Sequence, residues 1–183
     1  LLFFTESNSN ESKKQNKQLL IEHLSSIKEF SSSFIQSNNI TTETGEIFIK
    51  NKRIRVDYND PTKITLILSK NKAMYYHKEL EEVEYFNPNK TIAKVFFNIF
   101  YEKTFLENSI IFSEKNSIIV KKKVIFEENE SYKLSIYFET KPTMSRKIEI
   151  QNQDEKNIYS IFNHNYYPKI DDDFFSMANP LLN

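Results

Sequence analysis

Histidine, aspartate and serine are the side chains through which this chain could catalyse a reaction or hold a metal, and their spacing supports neither. His23, His77 and His164 have no metal-ligand spacing to one another or to acidic residues. His23 falls on an apolar helical stripe and reads as a packed or interface histidine. Asp171-Asp172-Asp173 lacks the alternate ligand positions and turning glycine of a calcium loop and reads as a solvated turn. No serine sits in a Gly-x-Ser-x-Gly setting, and with Gly45 as the single glycine no phosphate-cradling loop can form. Cysteine is absent, which removes disulfides, thiolate metal sites, thiol nucleophiles and lipid attachment through cysteine. No catalytic residue, metal or cofactor is therefore expected, and the chain does not read as an enzyme. What remains is the chemistry of apolar surface.

The segment from Gly45 to Phe86 organises that surface. Glu46-Ile47-Phe48-Ile49-Lys50 and Arg53-Ile54-Arg55-Val56-Asp57-Tyr58 alternate in character and are separated only by Asn51-Lys52, the pattern of a hairpin. With residues 51 and 52 as a two-residue loop, Ile49 faces Ile54 and Ile47 faces Val56, while Arg55 and Asp57 point away with Phe48 and Glu46. A second hairpin pairs Lys63–Ser69 with Ala73–His77 across Lys70-Asn71, where Asn tolerates the positive φ of primed turns, and Glu82–Phe86 adds a further strand. Asparagine is abundant and takes over turn positions where glycine is usual.

The wider chain supplies what must cover such a sheet. Leu19, Leu20, His23, Leu24, Ile27 and Phe30 form a 3.6-period stripe over Gln15 to Phe30, a first helix, followed by a strand over Ser32 to Ile40. Pro88 then opens a second helix, Asn87 to Tyr101, with Ile92, Val95, Phe96, Ile99 and Phe100 at helical spacing. After an irregular stretch come strands over Asn116–Phe126, Tyr132–Glu139, Lys147–Gln153 and Asn157–Asn163, with turns at Glu128-Asn129-Glu130, Lys141-Pro142-Thr143 and 153–156.

The 183 residues suit one domain, read as 15–183 behind a flexible segment 1–14, large enough to bury roughly 70% of the unfolded surface. A formal net charge of zero gives no overall electrostatic footprint for nucleic acid or an anionic membrane. Leu1-Leu2-Phe3-Phe4 reads either as the remnant of a signal-peptide apolar region, which means export, or as a fragment boundary; it is too short to span a bilayer, which needs about 20 residues.

Four blocks follow one shared pattern. Phe30, Phe34 and Gln36 form a Phe-x-x-x-Phe-x-Gln after the first helix. Gly45 to Lys50, then Arg53 to Tyr58 with Pro61, form a Gly-started strand and an Arg- and aromatic-containing strand ending in an acidic-Tyr pair and a proline turn. Leu66 to Tyr76 forms the next hairpin, and Pro168 to Phe175 with Met177 and Pro180 a closing segment. In this order, spanning residues 30 to 180, the blocks resemble the LolA family, periplasmic carriers of outer-membrane lipoproteins.

The resemblance implies an α+β, mainly β fold: a strongly curved antiparallel sheet, an unclosed half-barrel, with a helical lid over a hydrophobic cavity. It implies a lipid-binding face of Ile47, Ile49, Ile54, Val56 and Tyr58, and a lid stripe of Ile92, Val95, Phe96 and Ile99. In the family an arginine latches the lid; here Lys50 or, by one deletion, Asn51 stands at that position, so Lys50 and Arg53 are the candidate latch residues. The implied partners are lipoprotein acyl chains, an inner-membrane LolCDE-type ABC transporter and, where present, the outer-membrane receptor LolB. The setting is the periplasm of a Gram-negative bacterium and the working form a monomer; no nucleic acid is involved. One alternative is a LolA-like module that binds or senses another lipid or hydrophobic ligand without transporter partners; a third reading is a β-sheet interaction scaffold with no ligand, which a cavity filled by side chains would favour.

Overall fold

The computed structural model describes residues 4–102, 104–125 and 130–182, with side chains from residue 11 onward. Leu1 to Phe3 and most of the turn expected at Glu128-Asn129-Glu130 lie outside the described residues. A helix α1 (Phe4–Ser26) leads into six strands, β1 (Glu29–Ser37), β2 (Thr42–Lys50), β3 (Arg53–Asp60), β4 (Ile64–Leu68), β5 (Ala73–His77) and β6 (Glu82–Phe86). A second helix, α2 (Ala93–Tyr101), precedes five more: β7 (Ile110–Glu114), β8 (Ser117–Ile125), β9 (Ser131–Thr140), β10 (Thr143–Gln151) and β11 (Lys156–Asn165). All join one antiparallel sheet in the order β6-β5-β4-β3-β2-β1-β11-β10-β9-β8-β7. The edges β6 and β7 do not meet, so the curved sheet is an unclosed half-barrel, as the sequence and its family resemblance imply.

Local chemistry accounts for the joints. Asn51 and Lys52 adopt φ of 50° and 57°, a primed two-residue turn, and the register pairs Ile49 with Ile54 and Ile47 with Val56 as expected. Left-handed backbone also occurs at Glu81, Asn108, Lys115 and Asn163, so lysine and glutamate share with asparagine the positions that glycine would usually take. The second hairpin turns at Lys70-Asn71 as expected, with Leu68 paired to Ala73 and the Ser69 amide donating to the Lys72 carbonyl at 2.8 Å, but neither Lys70 nor Asn71 is left-handed. β1 starts and stops three residues earlier than Ser32–Ile40. The cause is Asn38, whose Oδ1 accepts from the amides of Ile40 at 2.8 Å and Thr41 at 2.7 Å and turns the chain out of the strand.

The helices also depart from their expected limits. α1 begins at Phe4, ahead of Gln15, and Phe30 lies in β1 rather than on the helix; Leu20 and Leu24 pack inward while Leu19 is largely exposed. The second helix is in two pieces. Asn87 Oδ1 accepts from the Asn89 amide to cap a short 3₁₀ turn, Pro88–Lys90, and extended Thr91 separates it from α2. The stretch before Asn116, expected to be irregular, contains β7, a short edge strand with little apolar alternation to reveal it.

Two apolar clusters fill the concave face. One, under α1, joins Leu20 to Ile118, Val120, Leu134, Ile136 and Phe138 of β8 and β9. The other joins Phe30, Ile47, Ile49, Ile54 and Leu68 of β1 to β4. α2 bridges them. Its Val95 and Ile99 belong to the first and its Ala93 and Phe97 to the second. Every residue of α2 is at least half-buried, which is why an apolar stripe on one side describes it poorly.

The convex face is covered in part by the C-terminal segment, whose Asp172–Phe175 forms a 3₁₀ turn. It crosses the strands like a strap. Lys50 donates to the Ile170 carbonyl, Arg55 to that of Phe174 at 2.8 Å, Arg53 to that of Phe175 at 3.1 Å, and the Tyr85 hydroxyl to that of Met177 at 3.0 Å. The Arg55 guanidinium lies 4.0 Å from the centre of the Phe174 ring, which also meets Phe48 edge-on. Asp171 to Asp173 is exposed, as expected of a solvated turn, and opens this docked segment.

Lys122 has a role that a lysine run hides. Lys121 and Lys123 are exposed, but the Lys122 ammonium turns inward to the carbonyls of Phe105 at 2.5 Å and Glu107 at 2.8 Å, fastening the connection after α2. Burial lowers its pKa, with Glu107 opposing. Lys122→Met keeps the apolar stem and removes the donor, and is expected to cost about 1–2 kcal/mol for the two carbonyls left without it. Urea unfolding measures this; an unchanged midpoint contradicts the role.

Candidate functional site

An apolar cavity lies between the two clusters, beneath α2. β1 contributes Phe30 and Phe34, β2 Ile47, β3 Val56 and Tyr58, and β4 Leu66 and Leu68. From the other half of the sheet come Ile148 of β10 and Tyr159 and Ile161 of β11, and α2 closes the space with Phe96 and Phe100. The free volume is about 60 Å³. Ligand pockets run to roughly 300–1,000 Å³, so the hollow beneath α2 is nearly filled by side chains, Phe96 and Phe100 among them.

The residues singled out in the sequence distribute around this cavity. Ile47, Val56 and Tyr58 line it, while Ile49 and Ile54 are fully buried in the neighbouring cluster that also holds Ala93 and Phe97. Of the lid residues, Phe96 lines the cavity, Val95 and Ile99 are buried against β8–β10 and Ile92 packs beside them. Sequence reasoning passed over the lining by Phe34, Leu66, Phe100, Tyr159 and Ile161. Strand register was the available signal for one of them: Val56 sits between Ile47 and Leu66.

Lys50 and Arg53, the candidate latch, reach the C-terminal strap rather than α2. Lys50 also pairs with Glu29 at 3.4 Å and Asp172 at 3.3 Å. The tie between α2 and the sheet is instead the Tyr101 hydroxyl, which donates to the Arg53 carbonyl at 3.0 Å. Asn98, in the middle of α2, has a buried Oδ1 with no hydrogen-bond partner, a cost of about 1–3 kcal/mol to the closed state. The lid is therefore held chiefly by apolar contact.

The polar groups near the cavity stay neutral. Tyr58 donates to Gln36 Oε1 at 2.8 Å, and burial pushes the phenols of both Tyr58 and Tyr159 well above the usual tyrosine range. Where α1 meets β1, His23 and His164 both contact the Tyr166 ring, and His164 meets the Phe30 ring edge-on. Burial lowers the pKa of both imidazoles. The charge of His164 adds to the effect at His23, and Arg146 adds to it at His164 while the Ser145 carbonyl and Glu139 oppose.

Above the unfolded histidine pKa of about 6.5 both rings are neutral folded or unfolded, and the associated stability is fully present. As pH falls through the lowered folded values, the unfolded chain takes up protons that the fold resists, and stability is lost. The denaturation midpoint is expected to drop between about pH 7.5 and about pH 5.5, with a shallower drop in His23→Phe. Equal slopes in the two proteins would contradict this. Among the described residues, no group of three His, Cys, Asp or Glu is placed to hold a metal.

An open antiparallel half-barrel with a helix seated over its apolar hollow defines the fold class of this chain. The chain belongs to the LolA family: the family model described as outer membrane lipoprotein carrier protein LolA matches residues 25–178. No curated protein sequence matches it. Solved structures of similar fold include a DUF1329 family protein from Desulfovibrio piger, at 10% identity and a TM-score of 0.58, covering 90% of this chain and 97% of that one. Another is an uncharacterized conserved protein from Thermus thermophilus, at 5% identity and a TM-score of 0.55, covering 88% of this chain and 91% of that one. The Pseudomonas aeruginosa MucA/MucB complex contains a further likeness, at 11% identity and a TM-score of 0.52, covering 90% of this chain and 61% of that one. At these identities the likenesses show the fold. The LolA family is periplasmic, and among the described residues no helix is long and apolar enough to cross a membrane.

Proposed function

We propose that this protein is a periplasmic carrier that takes the acyl chains of lipoproteins into the cavity beneath α2. It would receive them from an inner-membrane ABC transporter of the LolCDE type and deliver them to the outer membrane, through a LolB-type receptor where one exists. The observation that carries this reading is the closed apolar cavity itself, plugged by Phe96 and Phe100 in a member of the LolA family. At about 0.8 kcal/mol per buried CH₂, one long acyl chain is worth roughly 10 kcal/mol or more, so such chains need cover to cross water. A carrier that exposed its empty cavity would aggregate. Exchanging lid-to-sheet contacts for acyl-to-sheet contacts of similar magnitude solves both problems and calls for no catalytic step.

The test is release: purified protein added to spheroplasts or energised transporter-containing membranes should bring lipoproteins into the supernatant as one-to-one complexes. A second reading, a module that binds or senses a hydrophobic ligand without a transporter, is favoured by the engagement of Lys50 and Arg53 with the strap instead of α2. A similar fold occurs in a complex of MucB with MucA. Failure of release from a cognate, energised system, with retained binding of a free acyl ligand, would select this second reading.

A further inference from the structure

A net charge of zero conceals a cluster of exposed lysines on one face of the sheet, far from a glutamate-rich edge. Along β6 and the turn before it, Glu79, Glu81, Glu82 and Glu84 are all exposed, with Lys78 the one cation among them. Six to nine strands further along the sheet, the convex face of β8 to β11 carries Lys121, Lys123, Lys133 and Lys156 around an open groove of about 530 Å³, with Lys147 beside it. Only one carboxylate, Glu149, lies among those that line the groove, and it is shared by Lys147 at 2.8 Å and Lys156 at 3.1 Å.

That leaves Lys121, Lys123 and Lys133. Each is exposed and none has an ion pair among the described residues; Lys121 has only the Phe112 ring at 5.3 Å. Lys123 and Lys133 are direct cross-strand partners, an arrangement that opposes pairing of the strands rather than aiding it. Two large apolar side chains flank these lysines. Ile110, in register with Lys121, is 67% exposed, and Ile125, two residues beyond Lys123, is 61% exposed. Lysines as mobile point charges, rather than arginine forks, suit a fluid array of phosphates, and the isoleucines suit the apolar boundary beneath it.

We infer that the convex face of β8 and β9 is a docking surface for a bilayer rich in anionic phospholipid headgroups, with the acidic β6 end directed away. Binding there is electrostatic, reversible and separate from occupation of the cavity, which lies on the other side of the sheet.

The experiment is flotation of the full chain with vesicles of 30% phosphatidylglycerol in phosphatidylcholine, against vesicles of phosphatidylcholine alone. The protein is expected to float with the anionic vesicles only, and to be released by 0.5 M NaCl. At about a factor of five per lysine, K121Q/K123Q/K133Q should partition on the order of 100-fold more weakly. It should unfold at the same denaturant concentration or higher, since a repulsive pair has gone. Neutralising the other end, E79Q/E81Q/E84Q, should not weaken binding. Val56→Glu should float like the unaltered protein, which separates this surface from the proposed acyl cavity. Equal flotation with neutral vesicles, or undiminished flotation of the triple lysine variant, would overturn the inference. So would no flotation at all, which would leave an acidic protein segment as the partner of this face.

Discussion

Val56→Glu is expected to abolish loading of the cavity while leaving the sheet folded. Val56 lies at the centre of the wall, paired with Ile47 on one side and Leu66 on the other, and faces Phe96 and Phe100 across the closed space. An acyl chain seated there would surround the new carboxylate with hydrocarbon, and burying an unpaired charge costs several kcal/mol even after relaxation. A loss of about 4 kcal/mol corresponds to roughly a thousandfold in affinity. The unloaded fold tolerates the change better, because Val56 is only half-buried in it. The measurements are binding of a fluorescent fatty-acyl probe and release of lipoproteins from membranes, with circular dichroism as the check on folding. Normal loading by a folded Val56→Glu variant would remove the cavity from the mechanism.

Gly45→Ala should be the most damaging single-methyl change in the chain. Gly45 has no positive φ, so it is not there for its backbone freedom. It is there for space. A Cβ at this position would lie 2.2 Å from the Asp57 carbonyl oxygen and 2.7 to 2.8 Å from the Phe34 ring. The phenyl ring can shift, but Asp57 is held in the β2–β3 ladder beside a register irregularity at Thr44/Gly45, so relief requires the strands to part. Overpacking of this kind costs typically 1–3 kcal/mol and more where backbone is struck, so about 3 kcal/mol is expected. Because Phe34 lines the cavity, ligand binding should weaken as well. An unfolding midpoint in urea equal to that of the unaltered protein would show that the fit is looser than this.

The parts of the fold legible in the sequence are those specified by short-range chemistry. The Asn51-Lys52 turn and the alternation on either side are enough to place Ile49 against Ile54, and the family blocks extend that hairpin to a whole half-barrel. Long-range competition decided the rest. Phe30 satisfies a helical stripe and a strand equally well until Asn38 and the pairing with β2 claim it for β1. α2 has no outward face, so its stripe named Val95, Ile99 and Phe100 but not the buried Phe97, which needs knowledge of both sides of the lid. The strap is less visible still. Arg55 is read in the sequence only as pointing away from the apolar face with Asp57, to which it is bound at 2.8 Å, and nothing nearby announces Phe174 above it. Likewise a charge total cannot report where charges lie.

The strand order also has a history written into it. β1 to β6 form one run of neighbours in sequence, and β7 to β11 another; each can assemble from local hairpins. They meet only where β1 pairs with β11, Phe34 opposite Ile161 and Gln36 opposite Tyr159. That seam joins residues more than a hundred positions apart, the kind of contact that forms late and sets the pace of folding. It is also the floor of the cavity. A nascent chain therefore has no apolar hollow until its last strand has zipped to its first, and under the proposed function the capacity to hold lipid would arise with completion of the fold rather than before it.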